Sequence, residues 1–182
     1  MKRYIRDYLL LALMAGAVIA LDQWTKALVR DSLALGEYWS PWPWLTPYAR
    51  IVHWHNTGVA FGMFPGMGQV FTVLAILVSV VIIYYFPRVA PQDWSLRVAM
   101  GLQLAGALGN LIDRVLFGGV TDFISVGTFP VFNVADSSIT IGVLILILGI
   151  WLQERKAKSA GEDGVPIEVR AGEVPSDKES LC

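Results

Sequence analysis

GNLIDRVLFGGVTDF at residues 109–123, then after a short Gly/Pro-containing passage FNVAD at residues 132–136, links two apolar runs of the chain. Asp122 follows the Gly118–Gly119 break, and Asp136 opens the next apolar run. If both runs cross a membrane, the short connection delivers both carboxylates to the same face. Two carboxylates held together do not both ionise easily, so they divide into one base and one acid. That is the chemistry of water-activating proteases.

The chain has 182 residues, of which 55% are hydrophobic and 16% charged, against about 25% charged in a typical soluble domain. The departure points to a membrane protein. A net charge of −1 offers no electrostatic case for nucleic acid. Cys182, at the end of a polar tail, is the only cysteine, which excludes an internal disulfide framework and argues against a cysteine nucleophile. Four apolar runs, at 8–29, 70–86, 96–117 and 133–152, approach the length of about 20 residues that spans a bilayer. The third is diluted by Gln103, Asn110 and Asp113, as suits a helix facing a protein interior. Gly101, Ala105 and Gly109 recur at four-residue spacing and predict close helix contact.

Basic residues set the orientation. Lys2, Arg3 and Arg6 precede the first span, Arg88 and Arg97 flank the second turn, and Arg155, Lys156 and Lys158 follow the fourth. Both termini are therefore expected in the cytoplasm. Residues 31–69 and the loop bearing Asp122 are expected outside, and 153–182 form a disordered cytoplasmic tail. The outer segment interleaves Trp39, Trp42, Trp44, Tyr48 and Trp54 with prolines, which oppose a helix, and reads as a small sheet on the membrane surface. Its Asn56-Thr57-Gly58 is a turn, expected to swing over the aspartates with Gly58 and Gly62 supplying backbone freedom. Asn133 can cap the fourth helix, with Asp136 in its first turn. The fold class is thus an all-α integral membrane protein of four helices, residues 1–152, with a small outer β-sheet or loop segment between the first two.

A zinc protease, a serine hydrolase elbow and a phosphate loop find no motif here, and His53 and His55 lack a third metal ligand. Five motifs in order carry a resemblance. They are Asp22-Gln23-x-Thr25-Lys26, Asn56-Thr57-Gly58-x-Ala60-Phe61, Gly109-Asn110-x-x-Asp113-Arg114, Val120-x-Asp122-Phe123 and Phe132-Asn133-x-Ala135-Asp136. Together the chain resembles the bacterial lipoprotein signal peptidases (signal peptidase II) over about 8–152. The resemblance implies an aspartic endopeptidase of the bacterial cytoplasmic membrane. Such an enzyme cleaves diacylglyceryl-modified prolipoproteins before the lipidated cysteine, is inhibited by globomycin, and needs no metal or cofactor. It implies Asp122 and Asp136 as the catalytic pair. Asp22, Lys26, Asn56, Gly58, Asn110, Asp113, Arg114, Asn133 and Ala135 fall on substrate-binding or supporting positions. The expected partners are prolipoproteins and membrane lipids, and the expected state is a monomer. The competing class is a non-catalytic four-helix membrane transporter or assembly factor whose polar cluster lines a path or ties subunits together.

Overall fold

The computed structural model describes residues 2–58 and 67–162. Four helices dominate: α1 (Lys2–Ser32), α2 (Gly68–Tyr85), α3 (Trp94–Phe117) and α4 (Val134–Glu162). A 3-10 turn, Phe86–Arg88, extends α2. Among the described residues, α1, α2 with its turn, and α4 as far as Arg155 are long and apolar enough to cross a membrane. They carry exposed Leu13, Leu28, Val73, Leu77, Leu144 and Ile147, an outer surface suited to lipid rather than water.

The third helix is more polar than these, and its polar residues face inward: Arg97, Asn110 and Asp113 are buried. It packs against each of the other three. Leu104 and Ala105 join Leu11 and Ala15 of α1 and Ile82 and Phe86 in one apolar cluster. The small residues of α3 serve two neighbours. A Cβ on Gly101 would lie 3.4 Å from the Met14 Cβ of α1, whereas one on Gly106 would strike the Ala135 carbonyl, Ser138 and Ile139 of α4. Ser138 Oγ bonds the Leu102 carbonyl at 3.1 Å, and a Cβ on Gly142 would lie 3.0 Å from the Ala99 carbonyl. The predicted stripe therefore faces α1, and a second stripe lets α4 approach.

The outer segment forms a three-stranded antiparallel sheet in the order β1 (Tyr38–Trp39), β2 (Ala49–Asn56), β3 (Val120–Val126). The expected loop around Asp122 is thus a strand. β2 pairs from Ala49 with Val126 to Asn56 with Val120, with an irregularity between Ile51 and Trp54 that puts Trp54 opposite Asp122. Phe132 adds a bridge to Ile124. This pairing brings the α1–α2 and α3–α4 connections to one end of the helices. At the other end Arg97 Nη2 grips Asp7 Oδ1 at 2.7 Å, both side chains buried, with Arg97 also stacked 4.4 Å from the Phe86 ring centroid.

Gly149 and Ile150 divide the chain into two units. In the second, helix α4 continues to Glu162 because Gln153–Lys158 is a run of helix formers with no breaker before Gly161. Residues 153–162, expected as disordered tail, are therefore helical, and 163–182 lie outside the described residues. So does Gly62, with Ala60 and Phe61, which leaves the expected lid outside the described residues apart from Asn56, Thr57 and Gly58.

Candidate active site

The short link between β3 and α4 is closed by a reciprocal cap. Asn133 Oδ1 accepts from the Asp136 N–H at 2.9 Å, and Asp136 Oδ2 accepts from the Asn133 N–H at 3.3 Å. This satisfies two of the orphan donors at the start of α4. A third is satisfied from across the molecule, since Asp22 Oδ1 on α1 accepts from the Ala135 N–H at 2.9 Å. The Asn133 side-chain nitrogen then donates to Asp122 Oδ1 at 2.7 Å and to Asn110 Oδ1 at 3.1 Å. One fully buried asparagine thus ties both aspartates together.

Each aspartate has a further amide donor. Asn56 Nδ2 donates to Asp122 Oδ2 at 2.9 Å, and Asn110 Nδ2 to Asp136 Oδ1 at 2.7 Å. Asn56 Oδ1 also accepts from the Gly58 N–H at 3.0 Å, which forms the expected turn. Asp122 is 2% exposed. Burial first, and the neighbouring Asp136 charge second, push its carboxyl from the usual 3.8 up to about 7. The Asn56 and Asn133 amides and the Lys26 charge act in the opposite sense.

Behind the amides lies a buried ionic cluster. Lys26 Nζ sits 2.8 Å from Asp22 Oδ2 and 3.4 Å from Asp113 Oδ2, all three side chains 0% exposed, and donates to Asn110 Oδ1 at 3.1 Å. Gln23 Nε2 donates to Asp22 at 3.1 Å, Asp113 at 3.1 Å and the Gly109 carbonyl at 3.0 Å. Asp113 Oδ2 accepts from the Thr121 N–H at 2.8 Å, and Arg30 Nη1 donates to Thr121 Oγ1 at 3.1 Å. The strand residue next to Asp122 is thereby anchored to α1 and α3. A buried charge needs this full set of partners. A Cβ on Gly109 would lie 2.8 Å from Asp22 Oδ2, so the cluster fits only against glycine.

The Gly118–Gly119 pair has two separate tasks. Gly118 ends α3 at a φ of 76°, a conformation that favours glycine. A Cβ on Gly119 would come 2.6 Å from His55 Nε2 and 3.0 Å from the Asn56 carbonyl. His53 instead fastens β2 to the end of α1, its Nδ1 2.9 Å from the Leu33 carbonyl.

Asp122 and Asp136 open onto a cavity of ≈ 780 Å³ that runs between α2, α3 and α4. Its lining combines the polar Asn56, Asn110 and Arg114 with apolar residues such as Phe71, Leu74, Val78 and Ile139. Arg114 lies 5.9 Å from the Phe71 ring centroid, and among the described residues it makes no hydrogen bond to either aspartate.

Asp22, Lys26, Asn56, Gly58, Asn110, Asp113, Arg114, Asn133 and Ala135 therefore lie in or directly behind this site with Asp122 and Asp136, while Gly62 falls outside the described residues. Ala135 contributes its N–H and a small side chain, Gly58 a wall, and Arg114 a guanidinium that makes no side-chain hydrogen bond among the described residues. Arg30, Thr121 and Gly119 were not anticipated. The β-branched, alternating run Val120–Val126 was the available signal for the strand that makes the first two matter.

The family model for Signal peptidase (SPase) II matches residues 14–152. The lipoprotein signal peptidase of Geobacillus thermodenitrificans is 44% identical over 143 residues, 76% of this chain and 88% of that protein. That of Anoxybacillus flavithermus is 37% identical over 161 residues, 86% and 94% of the two chains. A solved bacterial membrane enzyme superposes with a TM-score of 0.72 at 32% identity, covering 91% of this chain and 94% of that one. The chain belongs to the signal peptidase II family of aspartic peptidases.

Proposed function

We propose that this chain removes the signal peptide from diacylglyceryl-modified prolipoproteins, cutting before the lipidated cysteine, with Asp122 and Asp136 as the catalytic pair. The observation that carries the assignment is the Asn133 side chain, bonded to Asp122 at 2.7 Å and capping the Asp136 N–H at 2.9 Å at the polar mouth of an apolar cavity.

Asp136 at the start of α4 is favoured as an anion by the helix N-terminus. It takes a proton from a water whose oxygen attacks the scissile carbonyl carbon. Asp122, protonated, gives its proton to the carbonyl oxygen. In the collapse of the resulting diol, Asp136 returns a proton to the departing amine nitrogen, the C–N bond breaks, and one diol hydroxyl reprotonates Asp122. Arg114 stands where its forked donors can hold a substrate carbonyl. Asn56, Asn110 and Asn133 orient the carboxylates, while Asp22, Lys26 and Asp113 hold those amides and the start of α4. The apolar reach of the cavity between α2, α3 and α4 suits the signal helix and the acyl chains, and a cyclic lipopeptide such as globomycin would compete there.

In this reading all four helices cross the bacterial cytoplasmic membrane, residues 1–152 form the peptidase and the remainder a cytoplasmic tail. Exposed Lys2, Arg3, Arg6 and Arg88 support cytoplasmic termini, with the aspartates near the outer face. The exposed Trp39, Trp42, Trp44 and Trp54 support seating of the sheet at the membrane surface. The enzyme acts as a monomer.

The test is cleavage of a diacylglyceryl-modified prolipoprotein by purified protein in bilayers. Asp122→Asn, Asp136→Asn and the double variant should all lose activity to about the same extent, since the pair acts as one unit. Substantial turnover by either single variant would remove the assignment. A parent enzyme with no activity on lipidated substrate would favour the transporter or assembly reading.

A further inference from the structure

Gln103 lines the same cavity as the aspartates, on the same face of α3 as Asn110 and Arg114. Seven residues is close to two helical turns, which puts it about 10 Å deeper into the membrane than Asn110. Val78, Gly106, Ala107 and Ile139 line the cavity with it, and the hydroxyl of Thr140, also in the lining, is already bonded to the Asp136 carbonyl. The Gln103 Cγ would be 3.2 Å from a Cβ on Gly142, so α4 backs its stem where the residue lines the cavity.

The other side-chain amides lining this cavity are committed. Asn56 and Asn110 hold the two aspartates. Among the described residues, Gln103 and Arg114 line the cavity without a side-chain hydrogen bond of their own. An amide without a partner in a hydrocarbon setting is costly and at this depth marks a functional position.

The substrate supplies what is missing. The scissile carbonyl has to be free of helical hydrogen bonding to receive a proton from Asp122, so the signal helix must end before it reaches the aspartates. The last four carbonyls of any helix have no partner within the helix. Inside a membrane they have no water either. In an extended approach of about 3.3 Å per residue, the helix end falls some three residues before the scissile bond, at the depth of Gln103.

We propose that Gln103 donates its side-chain N–H groups to the unpaired carbonyls at the C-terminal end of the substrate's signal helix and so fixes how far the helix enters the cavity. Gln103 is then a specificity-determining residue for substrates whose signal helix ends at that depth. The proposal rests on the signal-peptidase reading above.

The test uses full-chain enzyme in lipid bilayers and a diacylglyceryl-modified prolipoprotein with its complete signal segment. Gln103→Leu and Gln103→Met keep the bulk and remove the donor. Each should raise KM about five-fold, the effect of one lost hydrogen bond, with kcat unchanged, because the bond is made equally before and during reaction, and with an unfolding temperature no lower than the parent's, because the unpartnered amide is gone. An unchanged KM in both variants overturns the proposal. So does a fall in kcat or in unfolding temperature without a rise in KM, which would make Gln103 a packing residue. A parent enzyme that fails to cleave the substrate overturns the signal-peptidase reading itself and is distinct from either of these results.

Discussion

Asn56→Ala should move the alkaline limb of the pH–rate profile upward while lowering the rate. With Asp122 as the proposed acid, kcat/KM should fall about ten-fold per pH unit above its pKa of about 7. The Asn56 amide, 2.9 Å from Oδ2, donates to the anionic form and holds that pKa down against burial and against the Asp136 charge. A hydrogen bond to a charged group contributes about 1.5–3 kcal/mol, or about one to two pH units. Asn56 is half-buried, so water replaces part of the bond and the smaller figure applies. The alkaline limb should therefore rise by about one pH unit. The assay is kcat/KM for a lipidated peptide from pH 5 to 10 in detergent micelles of fixed composition. A limb that stays in place, or moves down, refutes the assignment of Asp122 as the acid tuned by Asn56. A lower plateau alone would say nothing against it, because the same substitution releases the Gly58 N–H from its turn.

Lys26→Met leaves Asp22 and Asp113 buried without their shared cation, and unfolding in detergent should show a loss of about 3–5 kcal/mol; a loss below 1 kcal/mol would mean the cluster is not ionised as described. Asp122→Asn should stabilise the protein at pH 8. The buried carboxyl is raised from 3.8 to about 7, so its contribution to stability is full below pH 3.8 and lost as pH rises through about 7, a difference of about 4 kcal/mol; equal unfolding temperatures of parent and variant at pH 8 would contradict this. Gly119→Ala drives a methyl into His55 and the Asn56 carbonyl, and its activity should fall by more than ten-fold with little change in the far-ultraviolet circular dichroism; parental activity would show that the strand pair can yield. Arg114→Lys keeps the charge and loses the fork, and turnover should drop about ten-fold; an unchanged rate would leave Arg114 as a general charge only.

The helices were legible because each apolar run is long and its ends are marked by charge, proline or glycine. The pairing of Asp122 with Asp136 was legible from their positions around one short connection, and the Asn133 cap from its place before the last apolar run. What escaped the sequence depended on partners far along the chain. Arg97 counts as a basic flank in the primary structure, yet in the fold it is spent on Asp7, ninety residues earlier. The two-residue strand β1 has no pattern of its own and exists because Tyr38 and Trp39 lie beside Val52 and Ile51. Gly101 and Gly106 look alike in sequence, and only the helices on either side separate their tasks. The strand at Val120–Val126 was masked by its neighbours, since two glycines before it and a Gly/Pro passage after it suggest a loop.

The bond from Asp22 to the Ala135 N–H has a consequence for the newborn protein. α1 is made before α4 and holds the carboxylate that completes the start of α4. Until α4 arrives, Asp22 and Lys26 have only each other and the α3 residues for company, and until α1 is in place Asp136 stands on an unfinished helix end. Asp122 and Asp136 are therefore held in place only once α1, β3 and α4 have come together, so their fixed geometry is a property of the assembled fold and of no single segment.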